Sequence, residues 1–182
     1  FDVDGVLTDG ALHYADTGEE MKAFSVLDGH GIRMLQEGGV AAAIISGRSS
    51  RALEARARNL GIELLFQGAS DKLAAFSALL GRCGVGAEAC ACVGDDLVDV
   101  PVMERCGLAV AVPDAPAAVR RRAQYVTRAR GEGAFDIVAL GHGGQHQDRH
   151  ACIAPARADF SAQGNPVHSR HLNVEQDAVK RS

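Results

Sequence analysis

The sequence predicts an α/β protein, a doubly wound, Rossmann-like parallel sheet with a β-hairpin inserted after its first strand. Three observations predict this. Short apolar runs at residues 40–45, 62–66, 89–93 and 108–112, interrupted only by Glu63, alternate with helix-length amphipathic segments. Runs that are apolar on both faces suit parallel strands covered by helices on both sides. Polar residues stand at the ends of successive runs, where open parallel sheets place their ligands. The 182 residues, 47% hydrophobic and 23% charged, also suffice for one domain with a full core.

Each element has its own signal. Residues 1–3 read as the end of a buried strand, broken by Gly5, so the chain starts inside a strand. Residues 11–27 carry Leu12, Tyr14, Met21, Ala23 and Phe24 around the turn residues Ala15 to Glu20, which predicts a hairpin. A hairpin alone buries too little to be stable, so it is expected to pack on the body or on another subunit. Asp28-Gly29-His30-Gly31 reads as punctuation before a short helix that starts near Ile32 and ends at Gly38-Gly39. The run 40–45 ends in Ser46-Gly47-Arg48. A helix follows over 51–60 with Leu53, Ala57 and Leu60 on one face and Gly61 as its stop. After the run 62–66, Asp71-Lys72 opens a helix bearing Leu73, Phe76 and Leu79 or Leu80. The run 89–93 leads into Gly94-Asp95-Asp96, and Asp99-Val100-Pro101 marks a helix start. A strand over 108–112, a helix over 116–122, a short strand at 125–126 and a last helical turn or two over 135–140 complete the domain, 1–140. Residues 141–182 form a polar tail with five of the seven histidines, expected to be disordered. His142, His146 and His150 would share a helix face, but the neighbouring glycines disfavour that helix and a metal site on it.

Composition narrows the partners. A net charge of -4 and a pI near 6.0 give no basic field for nucleic acid, and no apolar run is long enough to span a membrane. Five cysteines without regular spacing indicate neither a disulfide framework nor a zinc site, so a reducing, cytoplasmic location is expected.

The chemistry is carried by Asp2 with Asp4, by Ser46, by Lys72 and by Asp95 with Asp96. Buried carboxylates are costly unless paired or metal-bound. Around one crevice these groups suit a phosphoryl group. Asp2 would attack phosphorus, Asp4 would protonate the leaving oxygen and then activate water, and Lys72 with Ser46 would hold the phosphoryl oxygens. Magnesium is the hard cation such oxygen ligands favour, with Asp2 and Asp95 as side-chain ligands.

Asp2 through Gly10, Ser46-Gly47-Arg48, Lys72, and Gly94-Asp95-Asp96 with Asp99 resemble the four motifs of the haloacid dehalogenase superfamily of phosphatases. More narrowly, Phe24 through Gly29, Gln67-Gly68 with Asp71-Lys72-Leu73, and Gly94 through Met103 resemble the 3-deoxy-D-manno-octulosonate 8-phosphate phosphatase family. The resemblance covers about residues 1–140. It implies a capless, magnesium-dependent hydrolase of a phosphorylated sugar acid in lipopolysaccharide precursor synthesis, acting through an aspartyl-phosphate and assembled as a homotetramer through the hairpin. It implies that Asp2 is the nucleophile and that Asp4 also binds metal through its backbone carbonyl. By the same resemblance the substrate is met by Asp4, Ser25, Val26, Leu27, Asp28, Gly29, Arg33, Arg48, Arg56 and Lys72. The arginines also make chemical sense for a ligand carrying both phosphate and carboxylate. Asp96 and Asp99 are expected to support the metal and Lys72 without direct ligation. Leu27 stands where relatives often carry a basic residue, and the tail has no counterpart in the family.

Other readings differ in kind. A response-regulator receiver shares the sheet, acidic cluster, hydroxyl and lysine, but in a different chain order. A phosphatase for a nine-carbon acid 9-phosphate would need similar charges. A non-catalytic tetramerisation domain of a sugar-nucleotide synthetase would not need Asp2, Asp4, Lys72 and Asp95 intact.

Overall fold

The computed structural model describes residues 1–129. The expected last helix over 135–140 and the tail 141–182 lie outside these residues. The described chain forms β1 (His13–Tyr14), β2 (Glu20–Met21), α1 (Val26–Glu37), β3 (Ala43–Ile45), α2 (Arg51–Leu60), β4 (Leu64–Phe66), α3 (Lys72–Cys83), β5 (Ala91–Gly94), α4 (Val100–Met103), β6 (Leu108–Ala111), α5 (Ala117–Arg120) and β7 (Tyr125–Val126). Pairing is parallel between β3 and β4, and along β5-β6-β7.

Phe1 and Asp2 join these two groups. The Phe1 ammonium donates to the Ala43 carbonyl at 2.8 Å, Ile45 N–H donates to the Phe1 carbonyl at 3.0 Å, and Asp2 N–H donates to the Val93 carbonyl at 3.0 Å. The opening residues thus hold the place of a parallel strand between β3 and β5, giving the row β4-β3-(1–2)-β5-β6-β7. Helices cover both faces. Ile44 packs in the larger apolar cluster with Ile32, Leu53 and Val93, whereas its neighbours Ala43 and Ile45 pack against the cluster of Phe76, Leu79, Val102 and Cys106. That alternation is the period-two consequence of a strand buried on both sides. Each fully buried aliphatic side chain of this kind contributes about 1.5–3 kcal/mol.

Several boundaries differ from the sequence reading. The strand expected over 40–45 shrinks to Ala43–Ile45, because Val40 N–H closes the turn after α1 by donating to the Leu35 carbonyl at 2.9 Å. Ile62 is drawn into the end of α2 in the same way, through a 2.9 Å bond to the Ala57 carbonyl, past Gly61 at φ 69°. The stretch Asp28-Gly29-His30-Gly31 is not a loop but lies inside α1. Ser25 caps that helix, its hydroxyl accepting from Asp28 N–H. Gly29 is used for close packing, since a Cβ there would sit 2.3 Å from Arg56 Nη2. The antiparallel hairpin β1–β2 is present, pairing His13 with Met21 and Tyr14 with Glu20. Its Leu12, Tyr14 and Met21 remain exposed by 48%, 56% and 53%.

Candidate active site

The site is built where the central strands end. Val6, Leu7 and Thr8 all donate backbone N–H bonds to the Val3 carbonyl, so the chain turns sharply straight after the opening strand position. Thr8 Oγ1 accepts from Gly5 and Gly10 N–H and donates to the Val3 carbonyl, which locks the turn. Gly5 sits at φ 90° with its backbone against Asp95, and a Cβ there would fall 2.0 Å from Asp95 Oδ2. Only glycine meets both demands. Asp4 therefore lies in a turn, and the turn rather than strand periodicity aims its side chain.

Lys72 is the first residue of α3, whose N-cap Asp71 accepts from Ala74 N–H at 3.0 Å. Its Nζ lies 2.7 Å from Asp2 Oδ1 and 2.7 Å from Asp99 Oδ1, with Asp2 9%, Lys72 8% and Asp99 3% exposed. Burial disfavours the Lys72 ammonium, but the Asp2 and Asp99 carboxylates outweigh it and hold its proton more tightly than usual. Asp99 Oδ2 accepts from the backbone N–H of Asp95 and Asp96 at 3.2 and 3.1 Å. Both oxygens of Asp99 are thus committed to scaffolding. Asp96 accepts from Leu97 N–H at 2.6 Å and points its carboxylate into the next turn.

Carboxylate oxygens of Asp2, Asp95 and Asp99 lie within 4.8 Å of one another. Burial, reinforced by the charge of Asp99, raises the Asp2 carboxyl above the usual range. Burial and then the charge of Asp2 push Asp95 up to about 7. Asp95 Oδ1 is buried with no hydrogen-bond partner among the described residues. Three carboxylates facing one ammonium, with an orphaned oxygen among them, fit a divalent cation with oxygen ligands. Asp2 and Asp95 have the oxygens to offer it, whereas those of Asp99 are spent.

Ser46 closes β3 as a buried residue, and its Oγ accepts from Arg48 N–H at 3.2 Å. Arg48 reaches toward Asp4, with Nε 3.9 Å from Asp4 Oδ2, and its Nη2 meets Glu20 Oε2 at 2.5 Å and Tyr14 OH at 3.3 Å. Lys22 Nζ contacts Asp4 Oδ1 directly and lies 3.0 Å from Glu20 Oε1. Glu20 and Lys22 were missed from sequence. The signal available was a pair of opposite charges two residues apart on one strand face, but nothing local pointed from them to Asp4.

A second group lies on the α1–α2 face. Arg56 Nη2 donates to the Ser25 carbonyl at 2.8 Å and its guanidinium sits 5.8 Å over the Phe24 ring. Arg33 Nη2 donates to the Asn59 carbonyl at 3.0 Å. Within this chain, Arg33 and Arg56 are therefore tied to backbone acceptors along α1 and α2, not to the aspartate cluster. Asp28 and Gly29 are buried in the first turn of α1, whereas Val26 and Leu27 are exposed beside them.

Residues 62–135 match the model of haloacid dehalogenase-like hydrolases. The chain is 50% identical over 147 residues to 3-deoxy-D-manno-octulosonate 8-phosphate phosphatase KdsC of Escherichia coli K12, covering 78% of each chain. The chain belongs to this phosphatase family. Its members are phosphoric monoester hydrolases of the haloacid dehalogenase type, and the α/β fold with parallel strands is theirs. A probable YrbI family phosphatase from Pseudomonas syringae pv. phaseolica superposes with a TM-score of 0.74 at 50% identity, covering 77% of this chain and 81% of that one. The phosphatase of Moraxella catarrhalis, solved with magnesium, phosphate and KDO, superposes with a TM-score of 0.74 at 38% identity, covering 76% and 81%.

Proposed function

We propose that this chain hydrolyses 3-deoxy-D-manno-octulosonate 8-phosphate to the free sugar acid and phosphate, with magnesium as its cation. The observation that carries the reading is the buried triad of Asp2, Lys72 and Asp99 beside the unpartnered Asp95 oxygen, in a chain of this family. Asp2 and Asp95, with the Asp4 backbone carbonyl, would hold the magnesium ion. When bound, it offsets the negative charge shared by carboxylates and phosphate.

The residues of the chain then divide the reaction. An Asp2 carboxylate oxygen bonds to phosphorus as the bond from phosphorus to the sugar oxygen breaks. Lys72 keeps Asp2 oriented and, with Ser46, meets the phosphoryl oxygens. Asp4 gives its proton to the departing sugar oxygen. It then takes a proton from the water that attacks phosphorus, which returns Asp2 as a carboxylate and releases phosphate. Arg48, which approaches Asp4, would meet the anionic substrate. Arg33, Arg56 and the start of α1 from Ser25 to Gly29 would complete the site from a neighbouring copy. This reading requires the homotetramer, for which the exposed hairpin residues Leu12, Tyr14 and Met21 supply the apolar surface.

The phosphatase domain is assigned to 1–140, in the cytoplasm, where the free thiols of Cys83, Cys90, Cys92 and Cys106 would stay reduced. No helix among the described residues is long and apolar enough to cross a membrane. Phosphate release from a panel of sugar phosphates, with magnesium and with excess chelator, tests the reading. The eight-carbon acid phosphate is expected to give the highest kcat/KM, with activity lost on chelation. A different preferred sugar, or turnover that survives chelation, would overturn substrate or cation respectively.

A further inference from the structure

The hairpin does more in this molecule than present an apolar outer surface. Asp4, Lys22, Glu20 and Arg48 close a ring of alternating charge: Lys22 contacts Asp4 and Glu20, Arg48 contacts Glu20, and Arg48 Nε approaches Asp4 at 3.9 Å. Two members come from β2 and its continuation, one from the turn after the opening strand, and one from the loop after β3. The Lys22 side chain is only 2% exposed. A lysine so enclosed has surrendered the hydration and rotamer freedom that a surface ion pair keeps, so its position is fixed by its two carboxylate partners. Burial disfavours its ammonium, yet its contacts with the Asp4 and Glu20 carboxylates prevail and keep it protonated.

The consequence falls on Asp4. Its Oδ1 is occupied by Lys22, while among the described residues Oδ2 meets only the distant Arg48 Nε. The oxygen left to exchange a proton is thereby selected, and the carboxyl cannot rotate away without breaking the Lys22 contact. We propose that Lys22, anchored from behind by Glu20, is a positioning residue that orients the Asp4 carboxyl toward the leaving oxygen of the substrate. This rests on the reading of Asp4 as the proton donor. The hairpin then couples substrate entry to catalysis, because Arg48 shares Glu20 with Lys22 and must loosen that contact to engage an anionic ligand.

The test compares two substrates that differ in their need for a proton donor. The sugar departs as an alkoxide and needs one, whereas p-nitrophenol departs as a stable phenolate and does not. In Lys22→Met, kcat/KM for the sugar phosphate is expected to fall about 30-fold or more beyond any fall for the aryl phosphate, a part of the roughly 10²–10⁴-fold that general acid catalysis supplies. Lys22→Arg is expected to recover about a third or more of the logarithmic loss, since it restores a cation at Asp4. Aryl phosphate turnover shows that the site is assembled. Should Lys22→Met lose its native circular dichroism, Glu20→Gln is read in the same way. Equal losses on both substrates, or no loss on either, would overturn the proposal while leaving the phosphatase reading intact. A parent protein that releases no phosphate from the sugar substrate would instead overturn that reading, and the assignment of Lys22 with it.

Discussion

Lys72 is the residue on which the site's electrostatics turn, because one ammonium compensates Asp2 and Asp99 in a buried space. Removing one partner of such a group strands the others. Lys72→Met is expected to lower the unfolding free energy by about 3 kcal/mol in chelator, as breaking a buried ion pair generally does, and to remove turnover. Urea unfolding with and without chelator checks this, and the loss should shrink when magnesium is added. Asp95 gives a pH dependence with a definite sign. Its folded value of about 7 lies above the ordinary 3.8, so the metal-free fold keeps a proton that the unfolded chain has released. Stability contributed by this group is therefore present at low pH and lost as pH rises through about 4 to 7. Thermal midpoints of the chelated protein should fall across that window, and Asp95→Asn should flatten the fall. A midpoint in Asp95→Asn that still drops as steeply would assign the dependence elsewhere.

The elements place these residues by local rules of different visibility. α2 was legible because its apolar spacing ends in Gly61, in the left-handed region that glycine favours, and α3 because apolar residues at helical spacing follow Asp71-Lys72; Gly84, which ends α3 in the same left-handed region, was not read as its stop. Lys72 was legible as a helix start because Asp71 is a good N-cap. Asp71→Ala is expected to cost about 1 kcal/mol of stability. It should lower kcat/KM severalfold by loosening the turn that carries Lys72, which denaturation and steady-state kinetics can check together. α1 was misread at its start, since Gly29 and Gly31 look like breakers until the close approach of Arg56 explains Gly29. The strand ends were overestimated for a related reason. Val40 and Ile62 are apolar like strand residues but serve in helix-terminating turns, which composition does not reveal. The hairpin was visible as a turn between apolar residues, whereas its ion pairs to Asp4 and Arg48 were not. Pairs separated by 18 and 28 residues leave no periodic trace.

Across the whole molecule, the order of motifs carried more than any one of them. Asp2, Ser46, Lys72 and Asp95 sit at the ends of neighbouring strand positions, so reading the alternation of runs was enough to bring them to one edge of the sheet. What it did not give was the division of labour inside the cluster. The expectation that Asp99 supports Lys72 while Asp95 faces the cation came from the family resemblance: the oxygens of Asp99 hold Lys72 and two backbone N–H groups, while one oxygen of Asp95 has no hydrogen-bond partner among the described residues. The proposed assembly would likewise rest on the exposed hairpin residues Leu12, Tyr14 and Met21. Light scattering is expected to give the mass of four chains, and Met21→Asp to shift it toward smaller species. A monomeric parent would remove the shared-site role proposed for Arg33 and Arg56. Asp2 is proposed to take the phosphoryl group onto its own carboxylate. Phosphate release from 3-deoxy-D-manno-octulosonate 8-phosphate by the parent and by Asp2→Asn, assayed side by side with magnesium, tests it most directly. Turnover by the parent and a loss of at least about 10³-fold in a folded Asp2→Asn is the predicted result, and a variant that retains activity near the parent level would contradict it.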